Sequence, residues 1–471
     1  MTETRIADHD WLSAPTDTPA NARWEGCIDP AGITLVAQLG FWPWDSQAMQ
    51  AMAASVSLLD ADGLLDAEAM ADISGQAVEI RQAAVGGTLA GSVPVARFVV
   101  DKLTIETDGR KTLSMRDAHD DLDKVINAGL FADDVVGLAG QPQPMSIGAV
   151  FNAPVLLTGS DGSVGWLADA PQAVAVLRDR ADPMETGTWS LDSYQQQVLL
   201  NSPPLGPMTV DQSSVSVVAG QPTPATLQQA LREVMRRAGI TAWSSADATA
   251  IDTACGYTGI GMYAGQPITA RTALAAICAT YSAWYWQDST GVLRLTRLVD
   301  PAGMTASFSL DGSDLAEDLT FTTDLAPNLS AKMAWRPVIR VMSDTEFVSD
   351  LVDVPHEMRA ILKSKQYGIV TATNSASLAD EYRHALDANP FPSLFWAEAN
   401  AQTEIDRICG LYASVRRNYA AKFRDTTLVP VPGQCCQLTY PRYGLESGKK
   451  LLVRRVERNP ATGECSLILW G

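Results

Sequence analysis

Short apolar segments separated by glycine, proline and aspartate constrain the fold of this chain more than any other feature of its sequence. Segments this short, with turn-forming residues between them, are typical of β-strands. We therefore predict a β-rich domain between residues 137 and 218. The segments there are residues 155–157, 164–167, 173–177 and 215–218.

Residues 97–116 carry a second β pattern, in which two apolar runs flank Asp108-Gly109. Asp-Gly between alternating apolar residues is a strong signal for a two-residue turn. A β-hairpin is therefore predicted here. Its apolar positions are Phe98, Val100, Leu103, Ile105, Leu113 and Met115.

Helical patterns begin after residues 219–224, a proline-containing stretch that we interpret as a linker. Thr226 can cap a helix at its N-terminus, and Gly239 ends the same helix. A second helix is predicted to start near Thr269 and to run into a hairpin at residues 283–298. Two helices and a hairpin predict a small α+β domain. The apolar residues at helical spacing are Leu227, Leu231, Val234, Met235 and Ala238, followed by Leu274, Ile277, Cys278 and Tyr281.

The last part of the chain has the longest helical pattern, from residue 401 to residue 419, and then several strands. The helical stripe consists of Ala401, Ile405, Ile408, Tyr412, Val415 and Tyr419. Such steps of four and three residues predict one buried helix face. The predicted strands are residues 427–431, 435–440, 450–457 and 465–470, with a turn at 459–463.

These patterns together predict an α+β, β-rich, multidomain protein, because 471 residues exceed what one ordinary core holds. In the first region, Pro43 of Phe41-Trp42-Pro43-Trp44 prevents a regular helix, so the tryptophans are expected to anchor a loop. The predicted units are residues 1–95, an attachment or interface region; 96–218, a β-rich domain; 219–300, the helix-helix-hairpin domain; and 301–471, a β-rich domain with one long helix.

The charge balance of the chain argues against nucleic acid and anionic membranes as partners. The sequence has 35 basic and 54 acidic residues, a net charge of −19, and phosphates would be repelled. The first 17 residues are polar and acidic, and the chain has no apolar run long enough for a membrane span. We therefore expect assembly in the cytoplasm. The seven cysteines form no CxxC pair and are expected to be reduced packing residues.

Sequence motifs for catalysis are absent or incomplete. His356-Glu357 opens like the HExxH motif of zinc proteases, but Ala360 occupies the position of the second histidine. The other histidines are His9, His119 and His384. There is no GxSxG elbow, Walker A loop or GxGxxG loop after a strand.

Three groups of acidic residues are candidates for metal-binding or catalytic sites. Residues 60–68 alternate carboxylates around Gly63 and match a calcium loop only in part, so a solvated acidic turn is favoured. Asp117, Asp120, Asp121 and Asp123 beside His119 could ligate a metal or meet a neighbour's basic strand, but a helix start capped by Asp120 or Asp121 is favoured, with Leu122, Val125 and Ile126 facing inward. Glu404 and Asp406 diverge on their helix and make a poor glycosidase pair. We predict no catalytic, cofactor-binding or metal-binding residues, and a protein that is not an enzyme.

Three stretches of the sequence resemble the tail-tip proteins of long-tailed phages, especially transposable siphophages. The first is Gln143-Pro144-Met145-Ser146-Ile147-Gly148-Ala149-Val150-Phe151-Asn152. The second is the α+β unit at residues 227–298. The third is Leu438-Thr439-Tyr440-Pro441-Arg442-Tyr443-Gly444-Leu445, followed by Gly448-Lys449 and ending Leu469-Trp470-Gly471. The likeness therefore covers the chain from residue 143 onwards.

This resemblance implies a baseplate hub or distal-tail protein of the virion, with β-barrel domains related to the tail tube. Such a protein closes the tube as part of a ring, with a homotrimer expected for a hub and a hexamer for a distal-tail protein. Implied partners are other copies of itself, the distal tail or tail tube protein, the tape-measure protein, and a central fibre or receptor-binding protein. Host attachment and genome ejection would depend on these contacts.

Two alternatives stay open at this point. The first is a receptor- or glycan-binding tip protein, because the twelve tryptophans of the sequence could form binding surfaces. The second is a tail-associated cell-wall hydrolase. The pairs Arg236-Arg237, Arg416-Arg417 and Arg454-Arg455 are either ordinary surface charge or basic strands that meet acidic faces of the next copy. A weaker hypothesis is that a few of these arginines line the mouth of the tube and face DNA.

Overall fold

The fold, taken from a computed structural model, consists mainly of β-strands. The structure describes residues 5–39, 53–60, 63, 65, 66, 68, 71–83, 87–106, 110–117, 120–159, 162–169, 171–192, 196–214, 226–323, 328–347, 355–375, 386, 387, 389–425 and 427–471. Of the sequence features above, residues 41–44, Asp108-Gly109, His119, residues 215–224 and His384 lie outside these residues.

The strands, in chain order, are β1 Ile6–Ala7, β2 Trp11–Leu12, β3 Arg23–Gly26, β4 Ile28–Gln38, β5 Ala53–Leu58, β6 Ala77–Gln82, β7 Val93–Ile105, β8 Lys111–Asp117, β9 Met145–Pro154, β10 Leu156–Thr158, β11 Val164–Trp166, β12 Pro171–Asp179, β13 Asp182–Pro183, β14 Trp189–Asp192, β15 Gln197–Leu200, β16 Met208–Ser214, β17 Gly261–Ala264, β18 Ala283–Gln287, β19 Leu293–Arg297, β20 Phe308–Leu310, β21 Thr320–Thr323, β22 Asn328–Pro337, β23 Gln366–Thr373, β24 Leu386–Asp387, β25 Arg417–Arg424, β26 Cys435–Leu438, β27 Lys449–Arg458 and β28 Glu464–Trp470. The α-helices are α1 Leu227–Ala238, α2 Ser245–Cys255, α3 Ala270–Thr280, α4 His356–Leu362 and α5 Glu398–Leu411.

The predicted α+β, β-rich architecture is confirmed. The strands form several sheets, and within the described residues none of these sheets closes on itself. The β-barrel domains that the resemblance implies are therefore not found among the described residues, whose sheets stay open. No helix in the described part of the chain is both long and apolar enough to cross a bilayer.

The largest sheet has eleven strands and joins the beginning of the chain to its end. Its path runs β21-β25-β28-β27-β4-β5-β8-β7-β6, and β26 pairs with both β27 and β20. Where the two halves meet, Leu35 lies opposite Arg458 and Gln38 lies opposite Arg455. Each half covers its own apolar core, around Phe98 in the first and Leu467 in the second.

The predicted hairpin at residues 97–116 is present as the antiparallel pair β7 and β8. Its register places Val100 opposite Met115 and Leu103 opposite Leu113. Strand β7 begins at Val93, so the boundary predicted between residues 95 and 96 falls inside a strand. The rest of the division into four units stays a prediction.

Smaller sheets fill the middle of the chain. A five-stranded sheet has the order β13-β12-β16-β9-β17, and a four-stranded sheet has the order β10-β11-β15-β14. The three apolar segments predicted between residues 155 and 177 correspond to β10, β11 and β12. Strand β22 lies between β23 and β24 in a further sheet.

The first and second predicted helices are present as α1 and α3, with the predicted caps. The Thr226 hydroxyl accepts a hydrogen bond from the Gln229 amide, and Gly239 ends α1 in the left-handed conformation with φ 75°. Thr269 caps α3, and the β18–β19 hairpin follows. The apolar faces of α1 and α3 join the largest core of the protein.

A third helix, α2, lies between them and was missed. It contains only two buried residues, Ala248 and Ile251, because its sequence is mostly alanine, threonine and aspartate. No apolar stripe therefore marks it. Its boundaries are set by Ser244, whose hydroxyl accepts from the Asp247 amide, and by Gly256.

The long helix predicted to reach residue 419 is too long by two turns. Helix α5 ends at Leu411, and Tyr419 belongs to β25. Tyr419, Ala421 and Phe423 are buried on alternate positions, which is the period of a strand. Tyr419 fits both the helical spacing, four residues after Val415, and the alternation of β25, so the helical spacing alone extended the predicted helix too far.

The strand predicted at residues 427–431 is also wrong. Pro430 and Pro432 lack the backbone N–H that a ladder requires. The Asp425 carboxylate accepts hydrogen bonds from the amides of Thr427 and Leu428, which turns the chain instead. The other three predicted C-terminal strands are confirmed as β26, β27 and β28.

The helix start expected near Asp120 is a 3-10 turn, Asp120–Asp123. Leu122 and Ile126 are buried as predicted, but Val125 is exposed. Because the 3-10 turn ends at Asp123, no α-helix continues to Val125 to place its side chain on an inward face. The Asp123 carboxylate binds Arg271 on α3, with the oxygen Oδ1 2.8 Å from Nε.

Candidate assembly interface

The described residues do not bring the candidate metal ligands of the sequence together into a metal site. Among the described residues, no group of three or more His, Cys, Asp or Glu side chains could hold a metal ion. His356 is exposed at the start of α4, and Ala360 lies in the same short helix. All seven cysteines are free, and Cys255 alone among them is not buried.

In the acidic loop at residues 60–68, two aspartates bind a lysine of β8. The Lys111 ammonium contacts Asp60 and lies 2.6 Å from the Asp66 carboxylate, and the side chains of Lys111 and Asp60 are buried. Asp60 also accepts from the Leu65 amide. Asp60 and Asp66 are therefore both tied to the first residue of β8.

Glu404 on α5 is the most deeply buried charge of the described residues. Its Oε2 accepts from Arg297 at 2.5 Å and from the Tyr257 hydroxyl at 2.9 Å. Its Oε1 accepts from Ser282 and from Arg407, both at 2.5 Å. The carboxylate thus joins α5 to the region of α1 to α3 and its hairpin, since Tyr257 follows α2, Ser282 directly precedes β18 and Arg297 ends β19.

The electrostatics of Glu404 favour a structural role. Burial by itself would raise its pKa, but the hydrogen bonds and charge of Arg407 and the charge of Arg297 outweigh burial and hold the pKa below its ordinary value. Both oxygens are occupied, so no site for a reacting group is left. Asp406 lies exposed on another face of α5 and accepts from Gln402, as the helical spacing predicted.

Most of the arginines singled out in the sequence bind carboxylates of their own chain. Arg236 and Arg237 both bind Glu233, at 2.8 and 2.7 Å. Arg416 lies 3.0 Å from Asp300, and Arg455 lies 2.7 Å from Glu457. Their charges are therefore compensated locally.

Arg417 differs, because it belongs to a surface of aromatic rings and cations that we call the aromatic–cationic patch. The patch lies where β21, β25 and the β26–β27 connection meet. Phe321 comes from β21, the last strand on one side of the sheet path, and Lys449 begins β27. Its members are Phe321, Arg417, Tyr440, Arg442, Tyr443 and Lys449.

The rings of the patch touch one another and are covered by cations. The centroids of Phe321 and Tyr443 are 4.9 Å apart, and Tyr440 stacks on Tyr443 at 5.9 Å with an interplanar angle of 9°. The guanidinium of Arg417 lies 5.1 Å from the Phe321 centroid, and that of Arg442 lies 5.9 Å from the Tyr443 centroid. Phe321 is 39% exposed.

A left-handed turn presents this surface. Tyr443 has φ 70° and Gly444 has φ 77°, and the Tyr440 amide donates to the Leu445 carbonyl to close the turn. Leu445 is buried in the core of the sheet. The turn therefore anchors Leu445 inside while Arg442 stays exposed and Tyr443 partly exposed.

Positive charge accumulates in the patch. Arg417, Arg442 and Lys449 each lack a carboxylate within ion-pairing distance in the described part of the chain. Burial, followed by the charges of Arg416 and Arg417, lowers the pKa of Lys449. In a chain of net charge −19, such a surface is complementary to an acidic protein face.

Aromatic residues and arginine are the residue types most enriched at the centres of protein interfaces. The patch is therefore the best candidate site that the described residues offer. The sequence indicated Arg417 and the phrase at residues 438–445 separately. Phe321 carried no recognisable signal, since it joins them only through the pairing of β21 with β25.

The comparisons with known proteins found similarity in structure only. No family model matches the sequence, and no curated protein matches it. Among solved structures, the prophage tail protein gp18 of Listeria monocytogenes EGD-e is similar with a TM-score of 0.44 and 9% identity, covering 96% of this chain and 92% of that one.

Two further tail proteins show similar values. The 43 kDa tail protein of prophage MuSo2 from Shewanella oneidensis has a TM-score of 0.41 and 11% identity, with 96% of each chain covered. A tail protein from Neisseria meningitidis MC58 has a TM-score of 0.39 and 9% identity, covering 93% of this chain and 91% of that one.

Proposed function

We propose that this chain is a structural protein of a phage tail tip, of the hub or distal-tail kind, working as one subunit of a ring. The observation that carries the proposal is the place of the phrase at residues 438–445. This phrase resembles tail-tip proteins, and it supplies Tyr440, Arg442 and Tyr443 to the aromatic–cationic patch. The proposal names the same class of protein as the three solved structures.

In this role the chain acts through shape and contacts. It closes the tail tube in the virion and joins it to the tape-measure protein and to distal fibres for host attachment and genome delivery. A homotrimer fits a hub, and a hexamer fits a distal-tail protein. The patch is the contact through which one copy meets an acidic face of the next.

The proposal is tested by light scattering on the purified chain, alone and with the distal tail protein or the C-terminal part of the tape-measure protein. A discrete oligomeric mass, seen as rings by electron microscopy, is the expected result. A chain that stays monomeric at every concentration and binds neither protein contradicts the proposal.

The double substitution Arg417→Ser and Arg442→Ser is expected to weaken ring assembly at least about tenfold. It removes two cations without a carboxylate partner, and a loss of about 1.4 kcal/mol per subunit contact has this effect. Assembly of the wild type should also weaken at high salt, because exposed charges are screened. Sedimentation velocity over a range of protein concentrations measures both effects.

The matched control is Arg23→Ser with Arg236→Ser, which removes the same charge at residues that bind Glu25 and Glu233 of their own chain. This variant should assemble like the wild type. Equal assembly of both double variants would show that the patch is not the contact.

A receptor- or glycan-binding role is the second candidate, because Tyr440 and Tyr443 stack on each other and both are partly exposed. Tryptophans give it less support than their number suggested, since none of the described tryptophans is more than partly exposed. Competition of the isolated chain with phage for host cells tests this role. Zymography on peptidoglycan tests the hypothesis of a cell-wall hydrolase.

A further inference from the structure

A loop between the 3-10 turn and β9 exposes apolar and acidic side chains together, and we call residues 130–141 the acidic–apolar loop. Leu130 is 57% exposed and Val136 is 62% exposed. Between them, Asp133 and Asp134 are exposed as well, and neither makes an ion pair or a side-chain hydrogen bond with a described residue. A surface of this kind can bury apolar area and form ion pairs in the same contact.

Contacts at its base hold the acidic–apolar loop in place. The Phe131 ring is buried and lies edge-on to Trp166 of β11, with the centroids 5.2 Å apart. The Phe131 amide donates to the Gln141 carbonyl at 2.9 Å, and the Thr158 hydroxyl of β10 donates to the Val136 carbonyl at 2.7 Å. Because these contacts order the loop before any partner binds, binding costs it little conformational entropy.

The aromatic–cationic patch has the complementary composition. Its rings offer apolar surface, and its three cations have no described carboxylate within ion-pairing distance. Among the described carboxylates, that of Asp318 contacts the patch through the Tyr440 hydroxyl, at 3.3 Å, and not through a cation. The cations of the patch therefore remain available to an acidic partner.

Other exposed apolar residues in the described part of the chain lie near carboxylates that are already bound. Three such residues are Leu59, Ile105 and Val341. The carboxylates near them, Asp60, Glu106 and Asp344, contact Lys111, Thr112 and Lys363. The acidic–apolar loop differs from them, because both of its carboxylates and both of its large apolar side chains are left for a partner.

We propose that the acidic–apolar loop of one copy of this chain occupies the aromatic–cationic patch of the next copy. Leu130 and Val136 cover the exposed rings of the patch. Asp133 and Asp134 bind its guanidinium groups, since a carboxylate and a guanidinium form short, charge-assisted hydrogen bonds. The inference rests on the proposed ring and names the two surfaces that form it.

This contact joins unlike surfaces, so it is head-to-tail. Among the described residues, no hydrogen bond, ion pair or ring contact joins the acidic–apolar loop to the patch of the same chain. Each pair of copies therefore leaves one loop and one patch unoccupied, and further copies add until the rotation closes a ring.

Charge reversal tests the pairing. One double variant is Asp133→Arg with Asp134→Arg, and the other is Arg417→Asp with Arg442→Asp. Each variant alone places like charges on both surfaces, so its assembly should weaken at least about tenfold. An equimolar mixture of the two should assemble again, because each surface then meets one of opposite charge. Sedimentation velocity over a range of concentrations measures this, and a mixture whose chains stay apart overturns the proposal.

The matched control is Glu185→Arg with Glu357→Arg, which makes the same change of charge at two exposed residues outside the loop and the patch. This variant should assemble like the wild type. A control that loses assembly as fully as Asp133→Arg with Asp134→Arg overturns the proposal, since net charge and not the loop would then govern assembly.

Leu130→Asn with Val136→Asn tests the apolar half of the contact. Both side chains are exposed, so the unfolding temperature should stay within about 2 °C of the wild type. Assembly should weaken at least about tenfold, because the rings of the patch lose their apolar cover. Assembly equal to that of the wild type contradicts the pairing.

These experiments separate the pairing from the proposed function. If the wild type forms a ring and the loop variants form it equally well, the pairing is overturned and the tail function stands. If the wild type stays monomeric at every concentration, both are overturned.

Discussion

Replacing Glu404 with glutamine is expected to lower the free energy of unfolding by about 3–5 kcal/mol, the usual result of removing one member of a buried ion pair. Arg297, whose side chain is 9% exposed, would keep its charge without a compensating anion. The hydroxyls of Ser282 and Tyr257 would also lose a charged acceptor. Chemical denaturation followed by tryptophan fluorescence measures the change.

Asp406→Asn on the same helix is the matched control, because Asp406 is exposed and binds only Gln402 among the described residues. This variant should unfold within about 0.5 kcal/mol of the wild type, as surface substitutions usually do. If both variants lose equal stability, the loss belongs to the helix and not to the buried carboxylate.

The pH dependence of the same pair has a definite sign. The folded pKa of Glu404 is held below its ordinary value of 4.5, so the ionised carboxylate stabilises the fold at neutral pH. This contribution begins to decline below about pH 4.5 and is lost as the pH falls through the folded pKa. The difference in unfolding free energy between wild type and Glu404→Gln should therefore be larger at pH 7 than at pH 3.

Gly261→Ala is expected to destabilise the protein by about 3 kcal/mol or more, because an added Cβ has no space. That atom would lie 1.6 Å from the Ala149 carbonyl oxygen, which is backbone and cannot turn away. Strand β17 would have to leave β9, although Met262 and Ile147 pair there and are both buried. The denaturation midpoint and hydrogen exchange at residues 145–148 and 261–264 measure the effect.

Two glycine controls bracket this result. Gly303→Ala meets no atom within 4 Å, so it should be nearly neutral. Gly410→Ala lies in α5, also with no atom nearby, and should stabilise the protein by about 0.5–1 kcal/mol because alanine is the better helix former. A Gly261→Ala variant as stable as these would show that β9 and β17 are not closely paired.

Local sequence patterns predicted those helices and strands whose formation depends on residues close together in the chain. Thr226 and Gly239 delimit α1 because capping is a contact over three or four residues. The β7–β8 hairpin follows from two apolar runs on either side of one turn. Where the local pattern was weak, as in α2, or fitted two periods, as at Tyr419, prediction from sequence missed the element or misplaced its end.

Contacts between distant residues were not predictable in this way. Glu404 could be placed on a helix face, but its binding to Tyr257, Ser282 and Arg297 depends on how α5 packs against another unit. The patch likewise brings Phe321 beside Tyr443 only because β21 pairs with β25. The sequence contains these residues without indicating their distance in space.

The sequence alone therefore determined a β-rich α+β chain with capped helices, two hairpins and acidic net charge, because these follow from neighbouring residues and composition. The tertiary structure alone decided that β4 pairs with β27, so that the first and last parts of the chain share one sheet. It also decided which arginines are compensated and which are not. Ion pairing and strand pairing depend on the packing of segments hundreds of residues apart, and no local pattern encodes that packing.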